Sequence, residues 1–384
     1  MLRTTSLNTL ADCLQLKKYP IGFGRLLTYL FATAGIVMIF IRWFKGLGVT
    51  TSLADGRGWG LWISYDIMIG EALATGTFMV AATVYIFNLK QFYPLLRPCV
   101  LTGLIGYALG AGSLLVDLGF PYRIWHLIIY WNFYSPLFII GWCVMLYLTV
   151  LLLEFCPVLF EKRGWKVPLK VVRAITIPVV IAGIVISVVH QSALGAMMTI
   201  FPTKVYPLWI SNYTPIFFFL TAITAGIGML VLESYLSSSV YHMEFEKELV
   251  SKMARVIPVF LGLYLVFRVA DLVASGRYMY LLQGGIAPLL FGIEIVVGTI
   301  APIILLSCES VRRDRYKLLW SSILPIVGMA LYRFNVSLIF LEGTPYAPSW
   351  MEIVVSVGLT CIGVIVYDIA VRLFSIFGIY SQAH

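Results

Sequence analysis

Sixteen residues, DLGFPYRIWHLIIYWN from Asp117 to Asn132, place an acid, an arginine, a histidine, two tryptophans and an asparagine between two long apolar runs. Carboxyl, imidazole and amide groups set among flat aromatic rings can hydrogen-bond a ligand, exchange protons with it and stack on it. Further titratable groups lie inside or beside the apolar runs: Asp66, Glu71, His190 (followed by Gln191), Arg268, Asp271, Glu294 and Arg333. An ionised side chain costs roughly 2.5–3.5 kcal/mol at the centre of a membrane helix, so such residues mark sites or pathways more often than they decorate. A quinone matches this chemistry. Its two carbonyl oxygens need hydrogen-bond donors and, on reduction, protons; a histidine near its ordinary pKa of about 6.5 and a carboxyl made more basic by desolvation serve both needs. The residue types alone do not separate a quinone from another amphipathic ligand. Several also have a purely structural reading. Arg268 and Asp271 are spaced to neutralise each other on one helix, His126 to be an interfacial side chain, His190 a packed hydrogen-bonding residue, and Glu154 and Glu233 solvated or paired with loop lysines.

Hydropathy sets the elements that must position these residues. With 60% hydrophobic and 12% charged residues over 384 positions, the chain falls in the range of polytopic membrane proteins. Runs long enough to cross about 30 Å of hydrocarbon at 1.5 Å per residue lie at 25–44, 61–87, 98–117, 132–155, 173–190, 215–236, 255–274, 287–307, 318–340 and 351–373. They predict an all-α polytopic membrane protein with ten transmembrane spans. Spans 2–5 and 6–9 are expected to form two four-helix bundles, with spans 1 and 10 outside them. The corresponding segments are a cytoplasmic stretch 1–24, a first span and outer loop 25–57, a first bundle 58–214, a second 215–345, and a last span with cytoplasmic tail 346–384. The first run follows Lys17, Lys18 and Arg25 and lacks a small-residue cleavage site, which predicts a retained anchor.

The formal charge of +9 is spread over short loops, a topological signal and not a nucleic-acid patch. A cytoplasmic N-terminus puts 19 of the 27 Lys and Arg residues inside; six (Arg42, Lys45, Arg57, Arg123, Lys204, Arg277) fall outside, and Arg268 and Arg333 stay within spans. This bias predicts a protein of the inner (cytoplasmic) membrane with both termini cytoplasmic. The titratable residues named above then gather toward the outer side, while Glu154, Glu233 and Asp368 belong to the inner half. The outer loops, rich in Trp, Tyr, Pro and Gly, read as an interfacial belt and a docking surface.

Cys13, Cys99, Cys143, Cys156, Cys308 and Cys361 are scattered singly, with no cluster-ligand spacing, so no iron–sulfur cluster or zinc is expected in this chain. A bis-histidine haem needs two imidazoles facing each other from stable helices. Of the four histidines, His126 reads as a loop residue, His242 lies in an inner loop and His384 is terminal, so no haem is expected either.

The stretches GWGLWISYD (58–66), ATVYIFN (82–88), LLRP (95–98), DLGFPYRIWH (117–126), WCVMLY (142–147), EFCPVLFE (154–161), HQSALGAMM (190–198), LESYL (232–236), RFNVSLI (333–339) and PSWMEI (348–353) resemble the NrfD/HybB-type membrane subunits of respiratory complexes. The resemblance runs from about Gly58 to the end of span 10 and does not single out one complex. It implies a site for menaquinone or ubiquinone, as substrate, near the outer face of the first bundle. It also implies no prosthetic group in the subunit, a periplasmic ferredoxin-like four-cluster iron–sulfur subunit docked on the outer loops, and further catalytic or multihaem cytochrome subunits. Carried onto this sequence, it gives Asp66, Asp117 and His126 the quinone and proton roles, with Trp125, Asn132 and His190 lining or supporting the pocket.

The sequence departs from that pattern at two places. Leu137-Phe138 of span 4 is followed by Ile139 where an acid is usual, and Glu71 stands where the pattern is generally uncharged. Both lie about two turns into spans of one bundle, so Glu71 is expected to supply the carboxylate that span 4 lacks. Glu154, Glu233, Asp368 and the pairs Arg268/Asp271 and Glu294/Arg333 are candidates for a proton path through the second bundle. Two other classes fit some of these features: a structural anchor with a degenerate site, and a secondary transporter or ion channel. A transporter would show broken helices around a midplane site, whereas these acids cluster to one side.

Overall fold

Long stretches of Leu, Ile, Val, Phe and Ala satisfy their backbone polar groups internally as helices, the one spanning structure open to them short of a closed barrel. The computed structural model describes residues 22–54, 56, 58–200, 204–242, 245–341, 346–374 and 376–377. Arg3, Cys13, Lys17, Lys18, Arg57 and His384 lie outside the described residues. Among those described, ten helices are long and apolar enough to cross a membrane: α1 Phe23–Lys45, α2 Trp62–Ile86, α3 Lys90–Asp117, α4 Pro136–Arg163, α5 Lys166–Thr199, α6 Thr214–Tyr241, α7 Lys247–Ala274, α8 Ile286–Ser307, α9 Arg315–Ile339 and α10 Trp350–Leu373. The one β element among them is an isolated bridge, Val205 to Leu341.

The largest departure from the predicted boundaries is in α5. The hydropathic run stops at His190, but the helix continues through QSALGAMMT to Thr199. Gly195 there packs against the backbone of Thr214 and Pro215 at the start of α6. His190 and Gln191 are therefore interior helix residues, fully buried, and not a span end.

Each of α2–α5 packs on its neighbours in sequence and α5 returns to α2; α6–α9 do the same, with α9 returning to α6. The two groups meet along α2 and α6, the two most enclosed helices. That contact is close because Gly76 and Gly226 face each other; a Cβ on either would collide with the other's backbone. Small residues at such crossings let membrane helices approach without a hydrophobic driving force. The pair α1–α10 meets in the same way at Gly35 and Gly358 and lies against α3.

Three spans are locally wound as π-helix: Trp62–Glu71 in α2, Val296–Ile300 in α8 and Asn335–Ile339 in α9. Single-turn π segments often accompany functional sites because they redirect side chains out of α register. The first of these carries both Asp66 and Glu71. The two ends of the molecule differ in chemistry: one gathers Trp59, Trp125, Trp131, Tyr206, Tyr280 and Trp350, and the other carries most of the Lys and Arg. They are called below the aromatic end and the basic end.

Candidate functional site

At the aromatic end α3 stops at Asp117, and the chain turns through Pro121–Arg123 into a single-turn helix, His126–Ile129. Two contacts fix this segment on α4. The Trp142 indole donates to the Leu127 carbonyl at 2.9 Å, and Leu127 packs on Gly141. The His126 ring stands edge-on between Trp125, 4.2 Å between centroids, and Tyr130, 5.1 Å. Trp125 and Asn132 are exposed, and the Asn132 side-chain oxygen accepts from the Tyr134 amide at 3.2 Å.

Asp66 is buried between α2 and α10, where its Oδ2 accepts from the Ser356 hydroxyl at 2.8 Å. Asp117 lies within electrostatic reach of Asp66, Arg42 and Glu352. The Arg42 guanidinium, buried at the end of α1, donates to the Leu118 carbonyl and so ties α1 to the end of α3. Glu352 forms a capping box with Ser349 at the start of α10, and also accepts from the Ser52 amide at 3.0 Å and from the Tyr346 hydroxyl. The aromatic end is thus knit together across α1, α2, α3 and α10.

Deeper in the first group of helices, His190 Nε2 lies 2.8 Å from Glu71 Oε2, with both side chains inaccessible. His190 sits roughly 13 Å from the aromatic-end terminus of α5 at 1.5 Å per residue. Glu71 also has Tyr107 and Cys143 within electrostatic reach, and Gly110 leaves the space that its carboxyl fills. Tyr107 bonds Thr75 at 2.7 Å, and Thr75 accepts from Gln191 at 3.2 Å. Glu71 Oε1, His190 Nδ1 and Gln191 Oε1 have no protein partner. Buried polar atoms in that state are unusual and call for an unseen partner such as water.

A second polar group lies among α6–α9. Glu294 accepts from the Trp209 indole at 2.9 Å, the Asn335 amide at 2.8 Å and the Tyr264 hydroxyl at 3.4 Å. Arg268 donates to the Leu208 carbonyl at 3.2 Å and stands over the rings of Phe217, Phe291 and Tyr332. Arg333 donates to the Phe218 carbonyl at 2.7 Å. The sequence pairings are therefore not the bonded ones. Asp271 meets Arg277, in the loop after α7, at 3.5 Å rather than Arg268, and Glu294 is held by neutral donors, one of them Asn335 from the π turn of α9, rather than by a hydrogen bond from Arg333.

Of the anticipated residues, the structure bonds Glu71 with His190, sets His126 against Trp125, and brings Asp66 within electrostatic reach of Asp117. Among the described residues no hydrogen bond or ring contact links these three groups to one another. Glu233 differs from its expected solvated or lysine-paired state: it is buried, accepting from Thr102 at 2.7 Å and from Tyr367 at 2.6 Å. Sequence reasoning missed Tyr107, Thr75, Arg42, Glu352 and Ser356. For Ser356 a signal was present, since Ser356, Thr360 and Tyr367 fall on one face of an otherwise apolar helix.

The NrfD family, described as polysulphide reductase NrfD, matches residues 52–340. The chain belongs to this family. Its relatives match almost end to end. The Escherichia coli protein named "Probable Ni/Fe-hydrogenase 2 b-type cytochrome subunit" is 32% identical over 352 residues, 89% of each chain. The integral membrane subunit of menaquinone reductase from Nitratidesulfovibrio vulgaris is 26% identical over 364 residues, 87% of this chain and 86% of the relative. A selenate reductase subunit from Mesobacillus selenatarsenatis is 25% identical over 422 residues, 92% of this chain and 94% of the relative. This NrfD-family chain is therefore similar along its length to membrane subunits of several respiratory reductases.

Proposed function

We propose that this NrfD-family chain exchanges electrons between membrane quinone, menaquinone or ubiquinone, and an iron–sulfur subunit docked on its aromatic end. On this reading that end is periplasmic and the basic end cytoplasmic, as the Lys and Arg distribution favours, and the protein lies in the inner membrane. The quinone ring enters near Asp66, Asp117, His126, Trp125 and Asn132. The single observation that carries the reading is the Glu71–His190 pair at 2.8 Å. It is a sealed acid–imidazole couple beneath an aromatic loop that carries another histidine, and it suits proton exchange with a reducible carbonyl better than it suits packing. The menaquinone reductase name of one relative supports the same substrate class. Glu71 faces Cys143, one turn beyond Ile139 on α4, which supports its role as a substitute for the acid absent there. Arg268, Asp271, Glu294 and Arg333 are assigned to proton handling in the second group of helices, and further catalytic or cytochrome subunits complete the complex.

The E. coli relative's name refers to a b-type haem. The residues here do not fit one. His190 Nε2 is engaged by Glu71, whose carboxyl fills the space left by Gly110, so this nitrogen is not free to ligate an iron. No group of three or more His, Cys, Asp or Glu side chains among the described residues is placed to hold a metal ion.

The reading is tested on the complex purified with its copurifying subunits, by titrating a menaquinol analogue against wild type and His126→Ala. Saturable binding weakened at least tenfold in the variant is expected. Absence of binding to wild type, or equal binding by the variant, would point to a structural anchor.

A further inference from the structure

At the basic end α4 and α5 are joined by Gly164, in the left-handed C-cap conformation, and Trp165, whose amide donates back to the Phe160 carbonyl at 3.0 Å. This hairpin carries Lys162, Arg163, Lys166, Lys170 and Arg173, all of them exposed. Its one acid, Glu161, accepts from Arg173 at 2.8 Å and from Arg97, near the start of α3, at 2.6 Å. Six cations therefore share one carboxylate, and no other acid lies between Phe155 and Leu232. Elsewhere at this end opposite charges stand together: Glu248 with Lys252 at 3.2 Å, Glu309 with Arg313 at 2.5 Å and Asp368 with Arg372 at 2.9 Å.

Lys166, Lys170 and Arg173 stand at i, i+4 and i+7 and so share one face of α5, where like charges at that spacing repel and weaken a helix. The same face continues in four-residue steps through Ile177 and Ile181, each about half exposed. The stripe thus runs from cations to bare hydrocarbon, and its charged part alone extends roughly 10 Å at 1.5 Å per residue. Trp165, also about half exposed, lies at the hairpin with the Arg163 guanidinium 5.1 Å from its ring, in the manner of an interfacial tryptophan.

The rule that loops on one side of a membrane collect Lys and Arg accounts for Lys162, Arg163 and Lys166. It does not account for Arg173, about two turns inside the helix and in line with exposed isoleucines, nor for the want of a second acid. A soluble phosphate would meet the cations but gain nothing from Ile177 and Ile181. A zwitterionic lipid would cover the isoleucines but bring its own cation to a place already in excess. A lipid with a net negative headgroup matches both ends of the stripe and relieves the repulsion within it.

We propose that the α4–α5 hairpin is a binding site for an anionic phospholipid of the leaflet at the basic end. Lys166 and Lys170 hold the phosphate as point charges, and Arg173, whose guanidinium has donors beyond the one given to Glu161, adds a directed bond. The acyl chains lie along Ile177 and Ile181. The site is independent of the quinone reading.

The test uses the purified complex in phosphatidylcholine nanodiscs that contain either phosphatidylglycerol or phosphatidylcholine with a photoactivatable acyl chain, and maps the cross-links to peptides. The phosphatidylglycerol probe is expected to label α5 around Ile177 and Ile181 saturably and at least tenfold more than the phosphatidylcholine probe. Unlabelled phosphatidylglycerol should displace it, and inorganic phosphate should not. Each Lys or Arg near a bilayer surface is worth roughly fivefold in affinity for anionic lipid. Lys166→Gln/Lys170→Gln should therefore raise the half-saturating phosphatidylglycerol content at least tenfold, whereas Lys252→Gln, from the Glu248 pair at the same end, should leave it unchanged. Copurification of the partner subunits checks folding, and the comparison of the two probes on wild type needs no variant. Equal labelling by both probes, displacement by inorganic phosphate, a double variant saturated as easily as wild type, or a hairpin shielded from both probes by a partner subunit would each overturn the proposal.

Discussion

Glu71 and His190, far apart in sequence, meet at 2.8 Å in the interior of the first group of helices, and neither side chain is accessible. Removing the carboxyl leaves the imidazole without a partner, and an unsatisfied buried polar group costs about 1–3 kcal/mol. Glu71→Leu is therefore expected to lower thermal stability by that amount, and Glu71→Gln, whose amide oxygen still accepts from Nε2–H, by much less. Thermal inactivation of the purified complex distinguishes the two.

The crossing of α2 and α6 depends on Gly76 facing Gly226. Gly226→Ala forces a methyl into the Gly76 backbone, an overpacking that costs about 1–3 kcal/mol or more. Gly112→Ala, whose Cβ meets nothing within 4 Å, serves as the control. Lower yield and earlier melting for the first variant, with a wild-type result for the second, are the expected outcomes.

Glu294 gathers Trp209, Asn335 and Tyr264 from separate segments. Glu294→Ala abandons three donors at once and is expected to cost about 3 kcal/mol, at the upper end for a single unsatisfied group. Glu294→Gln keeps one acceptor oxygen and should cost less. Chemical denaturation monitored by tryptophan fluorescence reads both.

At the basic end Asp314 caps α9, its carboxylate accepting from the Tyr316 and Lys317 amides. The Lys317 backbone hydrogen bond holds its pKa below the ordinary 3.8. A carboxyl depressed in the folded state contributes above its unfolded pKa, and loses that contribution as pH falls through the folded value. Asp314→Ala is thus expected to melt earlier than wild type at pH 7, with the two curves converging below about pH 4. Melting curves at both pH values check this.

Much of the architecture was legible because span length and loop charge are local properties of sequence. Ten apolar runs gave ten helices, and the principal error, ending span 5 at His190, arose because a buried polar pair interrupts hydropathy without interrupting a helix. The site was less legible. Glu71 was singled out as an acid in an unusual place, yet its partnership with His190 depends on how α2 and α5 pack. Asp271 has a local partner in sequence in Arg268, and Glu294 a candidate on the next span in Arg333, but a loop arginine meets the first and a loop indole and a π-turn amide bond the second. Arg42 reads only as one of six outer-side cations, and only the fold shows it and Glu352 holding α1 and α10 to the aromatic end.

Menaquinone turnover by the purified complex carrying Glu71→Gln, followed against pH, tests the central assignment most directly. The account predicts a fall of about 10²-fold, the scale of a lost general acid–base group, a changed pH profile, and unaltered binding of a menaquinol analogue. Turnover and pH profile identical to wild type would contradict it, and would leave the Glu71–His190 pair a packing contact.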